Sequence, residues 1–352
     1  MKTDERLMHA AISLALKGAG RTKINPLVGC VIAKNGRIAG EGFHSRFGGP
    51  HAEAIAMAKA GKKARGSTVY VTLEPCVRFA GKKTPSCAEA LVKAKPKRVV
   101  IAMRDVNPRV AGKGIALLRK AGIEVEVGVL AKQSAAINAP FIKLVKTGLP
   151  FVRLKMAVSA DGFIWSPKRQ HISGPQADAL VQQLRNTHDA IMVGVGTVIA
   201  DDPRLTCRLQ GGRDPLRVIV DSKLRSPLNA SVFADSNCVV FTGKNFDEQN
   251  AAVLQKQGIS VFHSSTSRVN LGQMLAQLAK MQVCSVLLEG GRELAQSLID
   301  AQLVDECTVI VSPKVLHEGV RAPEFPKLKK RRMFGRDIMF GSSARARRLG
   351  AS

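Results

Sequence analysis

One histidine and two cysteines in the first half of the chain restrict its fold most, because they lie far apart in sequence yet suit a single metal ion. His51, Cys76 and Cys87 offer the imidazole and thiolate ligands that Zn²⁺ prefers. Three protein ligands leave a fourth position open, which is typical of catalytic rather than structural zinc sites. Glu53 lies close after His51, and a carboxylate beside such a metal can carry protons. The chain must therefore fold so that these four residues meet.

The spacing of these residues indicates a class of chemistry. His51-Ala52-Glu53, followed by Pro75-Cys76 and a later cysteine, is the pattern of zinc-dependent deaminases. His51 and Cys87 each fall at the start of a predicted helix, and the positive end of a helix favours the thiolate form of cysteine. Cys76 comes just after a predicted strand at 68–73, at the edge where open α/β sheets place their sites.

Hydrophobic periodicity predicts two α/β domains. In the first, strands and helices alternate after an initial helix, and Asn35-Gly36 predicts a β-hairpin. Gly148-Leu149-Pro150 is a short linker, after which a second set of strands and helices begins. We therefore predict domains at 1–147 and 148–326. Residues 327–352 are basic and poor in apolar periodicity, so we expect them to form a separate, mobile segment.

Composition limits the partners and the location of the protein. The 352 residues carry a net charge of +27, and residues 1–150 hold 27 Lys/Arg against 9 Asp/Glu. A basic domain attracts phosphate groups, either on nucleic acid or on a small metabolite. No apolar run approaches the roughly 18 to 20 residues that span a bilayer, so we expect no membrane partner. The N-terminus does not resemble a signal peptide, and an odd number of scattered cysteines favours a reducing compartment, so we predict a cytoplasmic protein.

A series of motifs runs in order along nearly the whole chain: Asn25-Pro26, Gly40-Glu41-Gly42-Phe43-His44, Thr72-Leu73-Glu74-Pro75-Cys76, Asp105-x-Asn107-Pro108, Leu154-Lys155-x-Ala157-x-Ser159-x-Asp161-Gly162, Ala200-Asp201-Asp202-Pro203 and Glu289-Gly290-Gly291. Together they resemble the family of bifunctional riboflavin biosynthesis deaminase/reductases. The resemblance implies an N-terminal cytidine-deaminase-like α/β/α domain and a C-terminal dihydrofolate-reductase-like α/β domain. It also implies two successive steps, a zinc-dependent hydrolytic deamination of a phosphorylated diaminopyrimidinone ribosylamine and an NADPH-dependent reduction of its ribosyl group to ribityl.

The resemblance assigns roles to individual residues as well. Glu53 would be the catalytic proton carrier, and one zinc ion would be held by His51, Cys76 and Cys87. The deaminase substrate would contact Asn25 and His44. The reductase substrate would contact Arg169, Arg185, Leu205, Arg208 and Glu289. NADPH would contact Ala157, His171, Thr197, Asp201, Ser222 and the run Gly291, Arg292, Glu293, Leu294, Ala295, Gln296 and Ser297. The chain departs from the family pattern at Arg78, His171 and Asp178 and in a longer interval between its two cysteine ligands.

These features favour a small phosphorylated pyrimidine as substrate, no specific nucleic acid, and a homo-oligomer. One alternative is a nucleic-acid deaminase of the tRNA type with an accessory domain. That class uses Pro-Cys-x-x-Cys, whereas here the interval from Cys76 to Cys87 is much longer. The other alternative is a family member with one degenerate active site, for which the second domain, with His171 and Asp178, is the better candidate.

Overall fold

The structure is a computed structural model, and it describes residues 3–79, 85–168 and 171–343. The chain divides into two compact units, Met1–Gly148 and Leu149–Ser352. The division falls at the predicted Gly-Leu-Pro linker. Among the described residues, no helix is both long and apolar enough to cross a membrane.

The first unit is built on a five-stranded sheet in the order β2-β1-β3-β4-β5. Its elements are α1 (Thr3–Leu16), β1 (Gly29–Lys34), β2 (Arg37–Phe43), α2 (Ala52–Ala60), β3 (Thr68–Val71), α3 (Cys87–Ala94), β4 (Arg98–Ile101), α4 (Lys113–Lys120), β5 (Glu124–Val127), α5 (Ala131–Ile137) and α6 (Ala139–Thr147). β1 pairs antiparallel with β2 and β3, while β3, β4 and β5 are parallel. Alternate strand residues face opposite sides, so Val69 and Val71 join one apolar core and Tyr70 joins the other. The sheet is therefore covered on both faces, as the predicted α/β/α architecture requires.

Glycines in β2 determine where α2 begins. A Cβ on Gly40 or Gly42 would lie 2.3 or 2.5 Å from carbonyl oxygens of α2, which is far inside van der Waals contact. Only residues without a side chain let the helix lie this close to the strand. The contact fixes the first turn of α2, and His51 occupies the position immediately before that turn.

The second unit contains a nine-stranded sheet in the order β11-β10-β9-β8-β12-β6-β13-β16-β15. Its elements are β6 (Phe151–Val158), β7 (Phe163–Trp165), α7 (Pro175–Thr187), β8 (Ala190–Gly194), α8 (Val195–Asp201), β9 (Leu216–Val220), β10 (Cys238–Thr242), α9 (Glu248–Lys256), β11 (Ser260–His263), α10 (Leu271–Lys280), β12 (Ser285–Leu288), α11 (Arg292–Asp300), β13 (Glu306–Val311), β14 (Val320–Arg321), β15 (Lys329–Phe334) and β16 (Asp337–Ser343). The first seven strands in this order are parallel: β11, β10, β9, β8, β12, β6 and β13. Their carboxyl ends therefore lie along one edge of the sheet. Such an edge is the usual ligand-binding position in open α/β sheets.

The prediction that 327–352 forms a separate mobile segment is wrong for residues 329–343. β15 and β16 form an antiparallel hairpin, and β16 pairs along its length with β13. Gly335 adopts a positive φ of 57° in the connecting turn. The Asp337 carboxylate is buried and accepts a hydrogen bond from the Gly174 amide at 2.7 Å, which ties the hairpin to the start of α7. Lys and Arg are common on edge strands because they discourage further pairing, so this basic run is compatible with β structure.

Candidate functional sites

The three predicted metal ligands meet in the first unit. His51 Nδ1 lies 3.5 Å from Cys76 Sγ and 3.3 Å from Cys87 Sγ. The ligand atoms of all three residues lie within 4.8 Å of one another. Bonds of about 2.0 Å to nitrogen and 2.3 Å to sulfur place tetrahedral ligand atoms about 3.6 Å apart. One imidazole and two thiols at these separations therefore fit a zinc ion with one position left open.

Each ligand is placed by a different local structure. His51 precedes α2, and Cys87 is the first residue of α3. The Ser86 hydroxyl caps α3 by accepting a hydrogen bond from the Glu89 amide at 3.1 Å. The Cys87 amide lies 3.5 Å from Cys76 Sγ, so a helix N-terminus faces the sulfur and favours its thiolate form.

A buried carboxylate anchors the segment that carries Cys76. Glu74 is 3% exposed and accepts four backbone hydrogen bonds. Oε2 accepts from the amides of Asp105 (3.1 Å) and Gly112 (2.9 Å), and Oε1 from those of Gly114 (3.0 Å) and Ile115 (3.2 Å). In the sequence, Glu74 is recognisable only as part of a family motif, and this role was not predicted. The only available signal was a charged residue directly after an apolar strand.

Glu53 lies in the first turn of α2 beside the ligands and is 3% exposed. Burial raises its pKa to about 7, and the negative charge of Cys76 acts in the same direction. A carboxyl group whose pKa is near neutrality can both accept and donate a proton at physiological pH. The position and environment of Glu53 therefore suit a proton carrier.

Asn25 and His44 form a hydrogen-bonded pair next to the same site. The imidazole of His44 lies edge-on to that of His51, with 5.6 Å between ring centroids. His44 Nδ1 is 3.0 Å from the carbonyl oxygen of Pro50, and its Nε2 is 3.1 Å from Asn25 Nδ2. When Nδ1–H donates to Pro50, Nε2 accepts from the Asn25 amide. Burial lowers the pKa of His44, which favours this neutral form.

A cavity of about 1560 Å³ opens along the carboxyl edge of the large sheet in the second unit. Most of the residues predicted for the reductase line it: Ala157, Arg185, Thr197, Asp201, Leu205, Ser222, Glu289, Gly291, Arg292, Glu293, Leu294, Gln296 and Ser297. Gly290 and Gly291 precede α11, whose N-terminus provides amide groups for an anionic ligand. The size of the cavity is sufficient for a dinucleotide together with a substrate.

Three predicted contacts do not line this cavity, and one falls outside the described residues. Ala295 is fully buried in the core, because consecutive helical residues point in different directions and cannot all face one ligand. His171 instead contacts Asp178 at the surface, with both carboxylate oxygens 3.0 Å from Nε2. The Arg208 amide donates to the side chain of Gln182 at 2.8 Å. Arg169 lies outside the described residues.

Charged groups of opposite sign meet in the cavity. Arg185 forms a two-point ion pair with Glu289, with Nε–Oε1 at 3.1 Å and Nη2–Oε2 at 2.7 Å. Arg185 Nη1 also donates to the carbonyl oxygen of Thr206 at 3.0 Å. Lys155 lines the same cavity, and burial lowers its pKa. No role for Lys155 was predicted from the sequence, although a lysine in a mostly apolar strand is an unusual feature.

An α/β/α sheet that carries a His/Cys/Cys centre beside a buried carboxylate defines the zinc-dependent deaminase class. Here it is joined to a second α/β unit with a nucleotide-sized cavity. Residues 1–103 match the model of the cytidine and deoxycytidylate deaminase zinc-binding region, and residues 150–334 match that of the RibD C-terminal domain. The chain belongs to the RibD family of riboflavin biosynthesis proteins.

Relatives extend over nearly the whole chain. The riboflavin biosynthesis protein RibD of Bacillus amyloliquefaciens is 42% identical over 325 residues, which cover 91% of this chain and 87% of the relative. RibD of Escherichia coli is 38% identical over 363 residues, covering 95% and 98%. The solved structure of Acinetobacter baumannii RibD, form 1, superimposes with a TM-score of 0.84 at 38% identity, covering 96% and 98%. A diaminohydroxyphosphoribosylaminopyrimidine deaminase/5-amino-6-(5-phosphoribosylamino)uracil reductase from Thermotoga maritima gives a TM-score of 0.85 at 35% identity, with the same coverage.

These comparisons confirm the predicted family and the predicted fold class of each unit. Four other expectations remain predictions: the homo-oligomer, the cytoplasmic location, the absence of a specific nucleic-acid partner, and the roles of the individual site residues.

Proposed function

We propose that this chain catalyses two successive steps of riboflavin biosynthesis on one phosphorylated intermediate. The first is hydrolytic deamination of 2,5-diamino-6-(5-phosphoribosylamino)pyrimidin-4(3H)-one to 5-amino-6-(5-phosphoribosylamino)uracil. The second is NADPH-dependent reduction of the ribosyl group to ribityl. The observation that carries the proposal is the convergence of His51, Cys76 and Cys87 beside the buried carboxyl group of Glu53. The cavity of the second unit supports the second step.

The deamination breaks a carbon–nitrogen bond of the ring and forms a carbon–oxygen bond at the same carbon. The side chains of the site transfer the protons that this exchange requires. His51, Cys76 and Cys87 would hold a zinc ion, which would make a water molecule acidic enough to react near neutral pH. Glu53 would accept one proton of the water whose oxygen attacks the amine-bearing ring carbon and would pass it to the ring nitrogen. It would then accept the second proton, from the hydroxyl group now on that carbon, and pass it to the amine, which leaves as ammonia while the carbon–oxygen double bond forms.

Asn25 and His44 position the pyrimidine in this mechanism. Their mutual hydrogen bond and the contact of His44 with the Pro50 carbonyl oxygen hold both side chains next to the ligand His51. An amide and a neutral imidazole together offer donors and acceptors to the edge of a ring. Because both side chains are held in place before the substrate binds, binding costs them little conformational entropy.

In the reductase, the nicotinamide supplies the hydride and the chain supplies binding and orientation. Gly291 and the N-terminus of α11 would hold the pyrophosphate of NADPH. Thr197 and Asp201 belong to α8, which follows β8 at the adjacent strand end, and complete this wall. The substrate lies over Lys155 and the Arg185–Glu289 pair, whose charges suit its hydroxyl and phosphate groups.

The proposal includes a small free substrate in place of nucleic acid, assembly as a homo-oligomer and action in the cytoplasm. A small substrate is supported by the fusion of the deaminase to a reductase cavity, which requires a product that both units can bind. Incubation with RNA and DNA oligonucleotides that contain cytidine and adenosine should release no ammonia above background. Light scattering of the purified protein should give a mass that is a multiple of 37.7 kDa.

The decisive experiment uses one purified protein and two readouts. The diaminopyrimidinone ribosylamine phosphate is added first without NADPH, and ammonia is measured. NADPH is then added, and its oxidation is followed. We expect ammonia release in the first stage and NADPH oxidation that depends on it in the second.

Two variants test the assignment of Glu53. Glu53→Gln should abolish ammonia release while retaining zinc, and it should still oxidise NADPH when given the deaminated intermediate. Glu124→Gln, at an exposed position in β5, is the matched control and should behave as the wild type. If Glu53→Gln released ammonia at the wild-type rate, the proton-carrier role would be wrong.

A further inference from the structure

The end of the first unit that lies opposite the metal centre is strongly basic. Segments 34–37, 59–67 and 93–97 contain two, four and three Lys or Arg residues, nine in all, and no Asp or Glu. Eight of these side chains are exposed, and Lys34 is half-buried. The proposed function makes no use of this surface, which is called the basic end below. We infer that the basic end binds the phosphate backbone of duplex DNA, independently of the base sequence.

Hydrogen bonds hold the three segments of the basic end side by side. Lys34 Nζ donates to the carbonyl oxygen of Arg65 at 2.8 Å, which joins the β1–β2 turn to the second segment. The Gly66 amide donates to the carbonyl oxygen of Lys95 at 2.9 Å, which joins the second segment to the third. The nine cations therefore belong to one surface rather than to three separate groups.

This surface lies at the edge of the sheet opposite to the one that carries the metal ligands. β3 and β4 begin at Thr68 and Arg98, directly after two of the segments, whereas Cys76 follows the other end of β3. His51 precedes the first turn of α2, and Lys59 lies in its last turn. At 1.5 Å per residue, these two positions are about 12 Å apart along the helix axis. DNA on the basic end is therefore bound outside the deaminase site.

The cations of the basic end have no acidic partners in the part of the chain that the structure describes. No salt bridge between described residues involves any of the nine side chains. Arg98, directly after the third segment, instead forms salt bridges with Asp4, Glu124 and Glu126. The acidic groups beside the basic end are thus already paired, and its own charge is left uncompensated.

The composition of the basic end favours a nucleic-acid duplex over other anionic partners. Seven of the nine cations are lysines, and the three segments contain no aromatic residue. Interfaces between proteins are depleted in lysine and enriched in aromatic residues, so an acidic protein is a poorer fit. Single-stranded nucleic acid is bound largely by stacking of its bases on aromatic side chains. Lysines without stacking groups suit the phosphate rows of a duplex, which carry no sequence information.

The width of the basic end is close to that of a groove of B-form DNA. Arg37 lies in β2 and Lys97 directly precedes β4, and these two strands are three places apart in the sheet. At about 4.8 Å per strand, the two cations are about 14 Å apart. The major groove of B-form DNA is about 12 Å wide, so the basic end can contact phosphates on both sides of it. The major groove of duplex RNA is narrow, which favours DNA as the partner.

Fluorescence anisotropy with a labelled DNA duplex tests the basic end in the absence of any substrate. We expect two duplexes of unrelated sequence to bind equally well to the full chain. Neutralisation of about four phosphates gives a slope of about −3.6 for log affinity against log salt, so affinity should fall about 150-fold from about 50 to 200 mM salt.

A triple variant, Lys62→Gln with Lys63→Gln and Arg65→Gln, removes three exposed charges from the basic end. Each lost phosphate contact lowers the slope by about 0.9, so the slope should fall to about −0.9 and binding should weaken at least about tenfold. Ammonia release from the diaminopyrimidinone ribosylamine phosphate should be unchanged, because none of the three residues belongs to a proposed site.

The control variant combines Lys132→Gln, Lys256→Gln and Lys280→Gln, which remove three exposed charges from α5, α9 and α10. It should bind DNA as the wild type does. An equal loss of affinity in both triple variants, or a wild-type affinity that hardly depends on salt, would overturn the inference. Tighter binding of duplex RNA, single-stranded DNA or polyglutamate than of duplex DNA would also overturn it. A protein that bound duplex DNA as expected but released no ammonia would contradict the proposed function and support this inference.

Discussion

The four hydrogen bonds to Glu74 allow a sharp test of how the metal centre is held together. Glu74→Gln preserves the size of the side chain but replaces one carboxylate oxygen with an amino group. Two of the four backbone amides then face a donor, since each oxygen accepts from two of them. The amides concerned belong to the segment 105–115, and Pro75 and Cys76 directly follow Glu74 in the chain.

The expected cost follows from this count. A buried donor that loses its acceptor destabilises a protein by about 1–3 kcal/mol, so two such donors cost about 2–6 kcal/mol. Typical domains are stable by about 5–15 kcal/mol, and the first unit would therefore lose a large part of its stability. Glu124→Gln makes the same chemical change in an exposed ion pair with Arg98, where the carboxylate side chain is 62% exposed. This control should cost less than about 1 kcal/mol.

The assay uses urea titration with two probes. Zinc release and loss of ammonia formation report on the first unit. The chain has a single tryptophan, Trp165, which lies in the second unit, so its fluorescence reports on that unit alone. We expect Glu74→Gln to shift zinc release to lower urea and to leave the Trp165 transition in place. If Glu74→Gln and Glu124→Gln released zinc at the same urea concentration, the anchoring role of Glu74 would be refuted.

Three other perturbations have defined outcomes. Cys87→Ser should lower zinc content and ammonia release together, measured by atomic absorption and ammonia assay, while NADPH oxidation on supplied deaminated intermediate persists. Glu289→Gln leaves the largely buried Arg185 without its counter-charge and should destabilise the second unit by about 3–5 kcal/mol in urea unfolding. Burial lowers the pKa of His188 to about 3, so below pH 6.5 the unfolded chain binds a proton that the folded chain does not. The second unit should lose about 2 kcal/mol between pH 6.5 and 5, and a His188→Gln variant with an equal slope would contradict this.

Local patterns predicted most of the fold because they depend on neighbouring residues. Asn35-Gly36 predicted the β1–β2 hairpin, and both residues adopt the positive φ that such turns require. The strand β16 was missed partly because one of its two partners, β13, lies further back in the chain than a local pattern extends. Consecutive Lys and Arg residues in β15 hide the alternation of apolar and polar residues that would indicate a strand. No single-sequence pattern states which strand a basic segment will pair with.

The same distinction separates the site residues that could be predicted from those that could not. His51, Cys76 and Cys87 are recognisable because zinc restricts both the residue types and the short motifs around them. Glu74 and Lys155 escaped because their roles depend on what surrounds them in space. The anchoring of Glu74 depends on backbone amides of a later loop and of the first turn of α4, and the position of Lys155 depends on the strand order of the second sheet. Ala295 was wrongly included because the resemblance supplied a continuous run, whereas a helix presents only some of its residues to a ligand.

The hairpin formed by residues 329–343 also has a consequence for shortened forms of the protein. Without it, β13 would become the outermost strand of its sheet, with a row of unpaired amide and carbonyl groups. The side chains of Cys307, Thr308, Val309 and Ile310 on that strand are buried. An apolar, unpaired edge of this kind recruits strands from other molecules and leads to aggregation. A chain that ends before residue 329 would therefore retain every proposed catalytic residue and still be prone to aggregate during expression and storage.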